Sequence, residues 1–144
     1  MIFKSYLATF QILPNGIMQN KVKYELEFAI HASPQMLYQY ISSPSGLSEW
    51  YADNVNTRGE IYTFIWSDAE EKAKLLRKKL DESIKFRWLN SGNDTYFEMK
   101  IVVDEITDDV SLVIIDFATP EDLEESKMLW ENQVAELKHV LGSV

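Results

Sequence analysis

The chain has 144 residues, a formal net charge of −9 and 46% hydrophobic residues, a composition typical of one folded domain with a real core rather than of a disordered tail. The negative charge argues against nucleic acid or an anionic membrane as the main partner, because phosphate binding needs clustered Lys and Arg. The absence of cysteine excludes disulfide scaffolds, thiolate zinc sites and cysteine nucleophiles.

The first 17 residues show the least regular pattern. No segment of the chain has the roughly 20 apolar residues that span a bilayer, and no signal-peptide pattern is present, so we predict a cytoplasmic protein. Pro14-Asn15-Gly16 is turn-like and closely precedes Met18. We therefore place a domain at residues 18–144. Residues 1–17 are either an extension of that domain, native or not, or one added strand from Phe3 to Leu13.

Alternation over Val22–Ile30, with Val22, Tyr24, Leu26, Phe28 and Ile30 on one face and Lys23, Glu25 and Glu27 on the other, predicts a half-buried strand. Ser33 and Pro34 then form the N-cap and first position of a short helix, predicted over 34–41. Ser43-Pro44 caps a second short helix that ends at about Tyr51. The first helix is predicted to bury Met36, Leu37, Tyr40 and Ile41.

Most of the remaining chain has the pattern of strands. The segment 68–80 is ambiguous, because its residues are good helix formers whereas its neighbours on both sides are strands. The sequence NSGND at 90–94 predicts a hairpin loop. The predicted strands are 54–57, 61–66, 83–89, 95–103 and 110–117, and in the fourth of these Phe97, Met99, Ile101 and Val103 share one face.

A long helix is predicted at the C-terminus. Thr119 and Pro120 supply its N-cap and first residue, and the helix runs to about Leu141 before Gly142. A sheet that is apolar on one face needs a cover, and this is the only predicted helix long enough to provide it. Its apolar stripe consists of Leu123, Trp130, Val134, Leu137 and Leu141, interrupted by Lys127.

This order of elements, from about residue 20 to 142, resembles the START-like (SRPBCC, helix-grip) superfamily, and within it the branch related to homologues of the activator of heat-shock-protein ATPase. The matching residues, in chain order, are Ala32-Ser33-Pro34, Trp50-Tyr51-Ala52-Asp53, Phe64-Ile65-Trp66, Lys85-Phe86-Arg87-Trp88 and Trp130-x-x-x-Val134-x-x-Leu137. The resemblance implies an α+β fold, in which a curved antiparallel sheet of about seven strands wraps around the C-terminal helix. Two short helices follow the first strand. It also implies a strand at 69–80, and it leaves residues 1–17 outside the family pattern, which favours the extension.

The resemblance further implies a cavity between sheet and helix that binds an apolar or amphipathic, lipid-like molecule without catalysis. The predicted ligand-binding residues are Trp66, Phe86, Trp88, Met99, Ile101, Leu112, Ile114, Asp116, Trp130 and Val134, with Tyr24, Leu26 and Phe28 also facing inward. The simpler alternative is that these side chains only fill the core. Two other functions stay open, namely a protein-interaction module of the co-chaperone kind and, with less support, a cyclase- or hydrolase-like enzyme.

Asp116 continues the inward face of its predicted strand, where a carboxylate needs a partner and is suited to orient a polar ligand group. Alternatively it lies at the strand end, exposed or bonded to a backbone amide near Thr119. The possible counter-charges are Arg58, Arg87 and Lys100. His31 and His139 match neither a nucleophilic triad nor a metal site, and no nucleotide-binding motif is present. We therefore predict no catalytic residue, metal or cofactor.

Charge is distributed unevenly along the chain. Seven cations crowd two adjacent predicted strands, namely Lys72, Lys74, Arg77, Lys78, Lys79, Lys85 and Arg87. Between residues 101 and 126 there is no Lys or Arg, whereas acidic residues accumulate there. This division indicates a docking surface for a charged protein, a homodimer held by charge, or simply a solvated face that protects strand edges.

Overall fold

The computed structural model of the protein describes residues 20–142. The prediction for Phe3–Leu13 lies outside these residues. The elements in chain order are β1 (Val22–Ile30), α1 (Pro34–Ser42), α2 (Pro44–Trp50), β2 (Asn54–Arg58), β3 (Ile61–Trp66), β4 (Ala69–Lys79), β5 (Ser83–Trp88), β6 (Phe97–Val103), β7 (Val110–Ala118) and α3 (Leu123–Leu141). Within this part of the chain, no helix is both long and apolar enough to cross a membrane.

The seven strands form one antiparallel sheet in the order β1-β7-β6-β5-β4-β3-β2. Neighbours in the sheet are also neighbours in sequence except at one point, where β1 pairs with β7 from Val22 opposite Ala118 to Ile30 opposite Val110. Helix α3 packs against β1, β7 and α2, and α1 packs against β5 and β6. The predicted helix-grip architecture is thereby confirmed.

The ambiguous segment is strand β4, as the family resemblance implied. Helix propensities differ by only fractions of a kcal/mol per residue, so a segment placed between two strands gains more from ladder hydrogen bonds and packing. Ala73 pairs with Tyr62 of β3 on one side and with Trp88 of β5 on the other, and it is fully buried. A bulge between Leu75 and Arg77 then shifts the register with β5.

The two short helices begin where their serine caps predict. The Ser33 side chain accepts from the amide of Met36 at 3.1 Å, and Ser43 accepts from the amide of Gly46 at 2.9 Å. The predicted burial of Met36 is wrong, since its side chain is 52% exposed and Tyr38 is buried instead. Both positions flank Leu37 on the helix surface, so packing of α1 against the sheet decides which of them is covered.

Helix α3 starts later than predicted. Its N-cap is Asp122, and Thr119 instead closes a preceding turn in which its carbonyl and hydroxyl oxygens accept from the Asp122 amide at 3.0 and 3.2 Å. The predicted end is confirmed, because Gly142 adopts a left-handed conformation at φ 72° and caps the helix. Val103, predicted inward, is 42% exposed because β6 ends there.

Candidate functional site

All ten predicted ligand-binding residues lie on the inward side of the sheet or on the facing side of α3, and all are buried. Their exposed fractions do not exceed 9%, the value for Ile101. The side chains of Leu26 and Phe28, also predicted inward, are half-buried and pack against this cluster. The structure therefore brings the predicted residues together between sheet and helix. Their role in binding stays a prediction.

Asp116 is the one charged residue among the ten, and it is 5% exposed. The Trp130 indole donates to its Oδ2 at 2.8 Å, and the Phe117 amide donates to its Oδ1 at 2.7 Å. The Tyr24 hydroxyl is a weaker donor to Oδ2 at 3.5 Å and also contacts the Ser126 hydroxyl. The alternative prediction that Asp116 is exposed is wrong. Its predicted bond to a backbone amide near Thr119 is present, since the donor is the amide of Phe117, two residues before Thr119. These contacts partly offset the cost of burying a carboxylate.

Tyr51 lies at the centre of the apolar part of the site and is fully buried. Five aromatic rings surround it with ring-centre distances between 5.1 and 6.1 Å. These rings come from α2, β3, β6 and α3 and belong to Trp50, Phe64, Trp66, Phe97 and Trp130. Most of them pack edge-on or tilted, which are the favourable arrangements for aromatic pairs. The interior beside Asp116 is therefore lined chiefly by aromatic side chains.

Sequence reasoning missed two buried polar residues of α3. Ser126 and Gln133 are 0% and 1% exposed, although neither interrupts the sequence pattern visibly. The Gln133 amide nitrogen donates to the carbonyl oxygen of Tyr51 at 3.0 Å, and the Trp66 indole donates to the same oxygen at 3.1 Å. Among the described residues, the side-chain oxygen of Gln133 has no hydrogen-bond donor. The spacing of Ser126, Trp130 and Gln133 by four and three residues is the one signal that places them on one helix face.

Among residues 20–142, the cation whose pKa responds to the charge of Asp116 is Lys21, which precedes β1, and not one of the three predicted. Burial lowers the pKa of Lys21, and the negative charges of Asp116 and Asp122 partly oppose that shift. Arg58 and Lys100 are exposed, and the Arg87 guanidinium donates to the Thr95 carbonyl instead.

Burial also dominates the ionisation of Tyr51. It raises the pKa of this phenol well above the usual value, and the negative charge of Asp116 raises it further. Tyr51 is therefore a neutral hydroxyl at physiological pH. A neutral phenol beside a carboxylate suits hydrogen bonding better than acid–base exchange.

Both histidines are exposed, at the end of β1 and in the last turn of α3. Residues 20–142 contain no group of three or more His, Asp and Glu side chains arranged to hold a metal ion. What the described arrangement offers chemically is an aromatic interior with one carboxylate and a few neutral polar groups.

Comparison with known proteins gives a consistent result. The family model for the START-like superfamily domain matches residues 18–143. No curated protein matches the sequence. The solution NMR structure of BfR322 from Bacteroides fragilis is 32% identical with a TM-score of 0.61, and the match covers 83% of this chain and 90% of that one.

Two structures with lower identity share the fold. The Aha1 dimer from Colwellia psychrerythraea is 17% identical with a TM-score of 0.70, over 83% of this chain and 96% of that one. DynU16, a protein of the dynemicin biosynthetic locus, is 14% identical with a TM-score of 0.70, over 83% of this chain and 47% of that one. Since the family model matches most of the chain, in agreement with the fold, the protein belongs to the START-like superfamily.

Proposed function

We propose that this protein binds a small apolar or amphipathic molecule between the sheet and α3, without catalysing a reaction. The observation that carries the proposal is the Asp116 carboxylate, buried beside an otherwise aromatic interior. Burying a carboxylate costs the fold free energy that its hydrogen bonds offset only in part, and buried ionisable groups are concentrated at functional sites. Its presence therefore favours a role in recognition over a role in stability.

The polar groups of the site suggest what kind of ligand fits. Asp116 accepts hydrogen bonds, and the side-chain oxygen of Gln133 is a buried acceptor without a donor among residues 20–142. A ligand with an apolar body and a donor at one end, such as a hydroxyl or an ammonium group, complements both features. A ligand carboxylate would meet like charge at Asp116. The rings around Tyr51 contact one another, so entry of a ligand requires them to move.

The absence of catalysis is part of the proposal. The groups described in contact with Asp116 are an indole, a phenol and a backbone amide, none of which exchanges protons near neutral pH. A general acid–base pair needs two groups that titrate near the working pH. His31 and His139, the two imidazoles of the chain, are both exposed.

Native mass spectrometry with matched twelve-carbon probes tests the proposal. Dodecylamine, dodecanol and dodecanoate differ only in the polar end, and we expect the protein to retain the amine and the alcohol better than the carboxylate. Asp116→Asn keeps the shape of the side chain but removes its charge, so dodecanoate binding should rise by about tenfold or more relative to dodecylamine. Asp94→Asn makes the same change on the exposed loop between β5 and β6 and should leave the order of the probes unchanged.

Two results would contradict the proposal. One is the failure of all three probes to bind when protein purified from its own host also carries no extractable molecule. The other is a probe order that is the same for Asp116→Asn as for the original protein. Either would move the function to the second candidate, a protein-interaction module. That candidate is favoured by the cations of β4 and β5, several of which have no ion-pair partner in the described part of the chain.

A further inference from the structure

The outer side of the sheet, opposite α3, carries an unusual arrangement of cations. On β4 and β5 the residues next to the inward-facing ones point outward, and the register places Lys74 opposite Arg87 and Arg77 opposite Lys85. These four side chains are called the cationic face. Two pairs of like charges directly opposite each other destabilise a sheet.

None of these four cations forms an ion pair with another described residue, although the register places Glu98 of β6 opposite Lys85. The ion pairs formed by residues 20–142 join Lys72 to Glu70, Lys79 to Glu82 and Lys127 to Glu124. Lys85 lies 4.2 Å above the Tyr96 ring, which partly balances its charge. In a chain of net charge −9, such a local excess of positive charge suits an anionic partner.

The same side of the sheet also carries an acidic cleft. The cleft lies where β1 and β6 end and β7 begins, and it has a volume of about 360 Å³. Glu27 points outward from β1, and Asp104 and Asp109 belong to the loop between β6 and β7. These three carboxylates define the acidic cleft, which is completed by His31, Ala29, Val102, Val110 and Ser111. Asp104 is held in place because its Oδ1 accepts from the amides of Ile106 and Thr107 at 2.8 and 2.9 Å.

We propose that the outer side of the sheet is an interface between two copies of this chain, with the cationic face of each copy against the acidic cleft of the other. From β1 to β4 there are four strand spacings, so the two patches are about 19 Å apart across the strands. They are also offset along the strands, because the register aligns Arg77 and Lys85 with Glu25 of β1, and the acidic cleft begins at Glu27. A two-fold axis near β6 superposes each patch on its opposite in the partner. In such a dimer the cationic face of each copy contacts the acidic cleft of the other. The same contact therefore forms twice, as a closed two-fold dimer requires.

The interface relies on charge rather than on apolar burial. Val113 and Ile115 of β7 lie between the two patches, but they are already buried in a single chain, with exposed fractions of 7% and 6%. Dimer formation would therefore bury little additional apolar surface there. A convex sheet surface also limits the area of contact, which places the dimer among small, reversible interfaces. Its dissociation constant should therefore rise at least tenfold between 20 mM and 500 mM salt, because exposed charges are screened.

Sedimentation velocity of the intact chain tests the proposal by a charge swap. Lys74→Glu with Arg77→Glu makes both patches acidic, and Glu27→Lys with Asp109→Lys makes both patches basic. We expect each double variant to be monomeric at low salt, at concentrations where the original protein dimerises. An equimolar mixture of the two variants should dimerise again, because each copy then meets a partner of opposite charge.

A control variant, Glu131→Lys with Glu136→Lys, changes net charge equally on an exposed face of α3 and should dimerise like the original protein. The proposal is overturned if the original protein stays monomeric at low salt and high concentration. It is also overturned if the swapped mixture fails to dimerise. A monomer that instead binds poly-glutamate through Lys74 and Arg77 identifies an acidic polypeptide, not a second copy, as the occupant.

Discussion

Replacing Trp130 by alanine is the sharpest test of how sheet and helix are held together. Trp130 is fully buried, its ring centre lies 5.6 Å from that of Tyr51 and 6.1 Å from that of Phe97, and its indole donates to Asp116 at 2.8 Å. Trp130 thus connects the aromatic interior directly to the buried carboxylate. The substitution therefore removes packing and a charge-assisted hydrogen bond at once.

The expected loss follows from these contacts. A buried tryptophan covers roughly 150–250 Å², worth about 4–6 kcal/mol at about 25 cal/mol per Å², and measured losses for Trp→Ala in cores are about 3–5 kcal/mol. Leaving the Asp116 carboxylate with one donor fewer adds about 1–3 kcal/mol. We expect Trp130→Ala to lower the free energy of unfolding by about 5 kcal/mol. Trp130→Phe, which keeps part of the ring but not the donor, should lower it by about half as much.

Urea unfolding followed by far-ultraviolet circular dichroism measures these losses without depending on tryptophan fluorescence. Met128→Ala, two residues away on the same helix and 58% exposed, is the matched control and should change stability by less than about 0.5 kcal/mol. A loss below about 1 kcal/mol for Trp130→Ala would refute the placement of Trp130 as the residue that anchors α3 to the sheet.

Two further substitutions test the buried Tyr51 phenol and the close contact between helices α1 and α2. Above about pH 10 the Tyr51 phenol ionises in the unfolded chain, whereas burial keeps it neutral in the folded chain by raising its pKa. The stabilisation is therefore complete below about pH 10, and above it the free energy of unfolding falls by about 1.4 kcal/mol per pH unit. Tyr51→Phe should reduce the slope measured by urea unfolding between about pH 10 and 11 by about this amount, while Tyr38 and Tyr62, whose pKa values burial also raises, leave a remaining slope. Equal slopes for both proteins would show that the Tyr51 phenol is solvated. Gly46→Ala should cost about 1–3 kcal/mol because the added Cβ would clash with the Gln39 carbonyl oxygen and lie 2.6 Å from the Tyr40 Cα, whereas the exposed Ser45→Ala should cost far less. A melting temperature unchanged by Gly46→Ala would contradict this close approach of α2 to α1.

Local sequence patterns predicted most element positions because they act over a few residues. Alternation placed β1 at its observed ends, the segment 61–66 was predicted with the bounds of β3, and the serine–proline pairs placed the starts of α1 and α2. The same local reasoning failed at Thr119, because a threonine followed by proline can cap either a helix or the turn before one. It also failed at Met36, because two helix positions beside Leu37 are equally available until the sheet covers one of them.

The composition of this chain determined by itself that the fold has one core, no disulfide and no thiolate metal site, and its periodicity determined which face of each strand is apolar. Only the tertiary structure decided the partners of buried polar groups. The Asp116 carboxylate accepts from Trp130 of α3, and its negative charge partly opposes the lowering of the Lys21 pKa by burial. Tyr24 lies beside Asp116 because the pairing of β1 with β7 brings these two residues, 92 positions apart, side by side. Such pairings depend on which strand edges meet, and that is settled by the closure of the whole sheet around α3 rather than by any local preference of the chain.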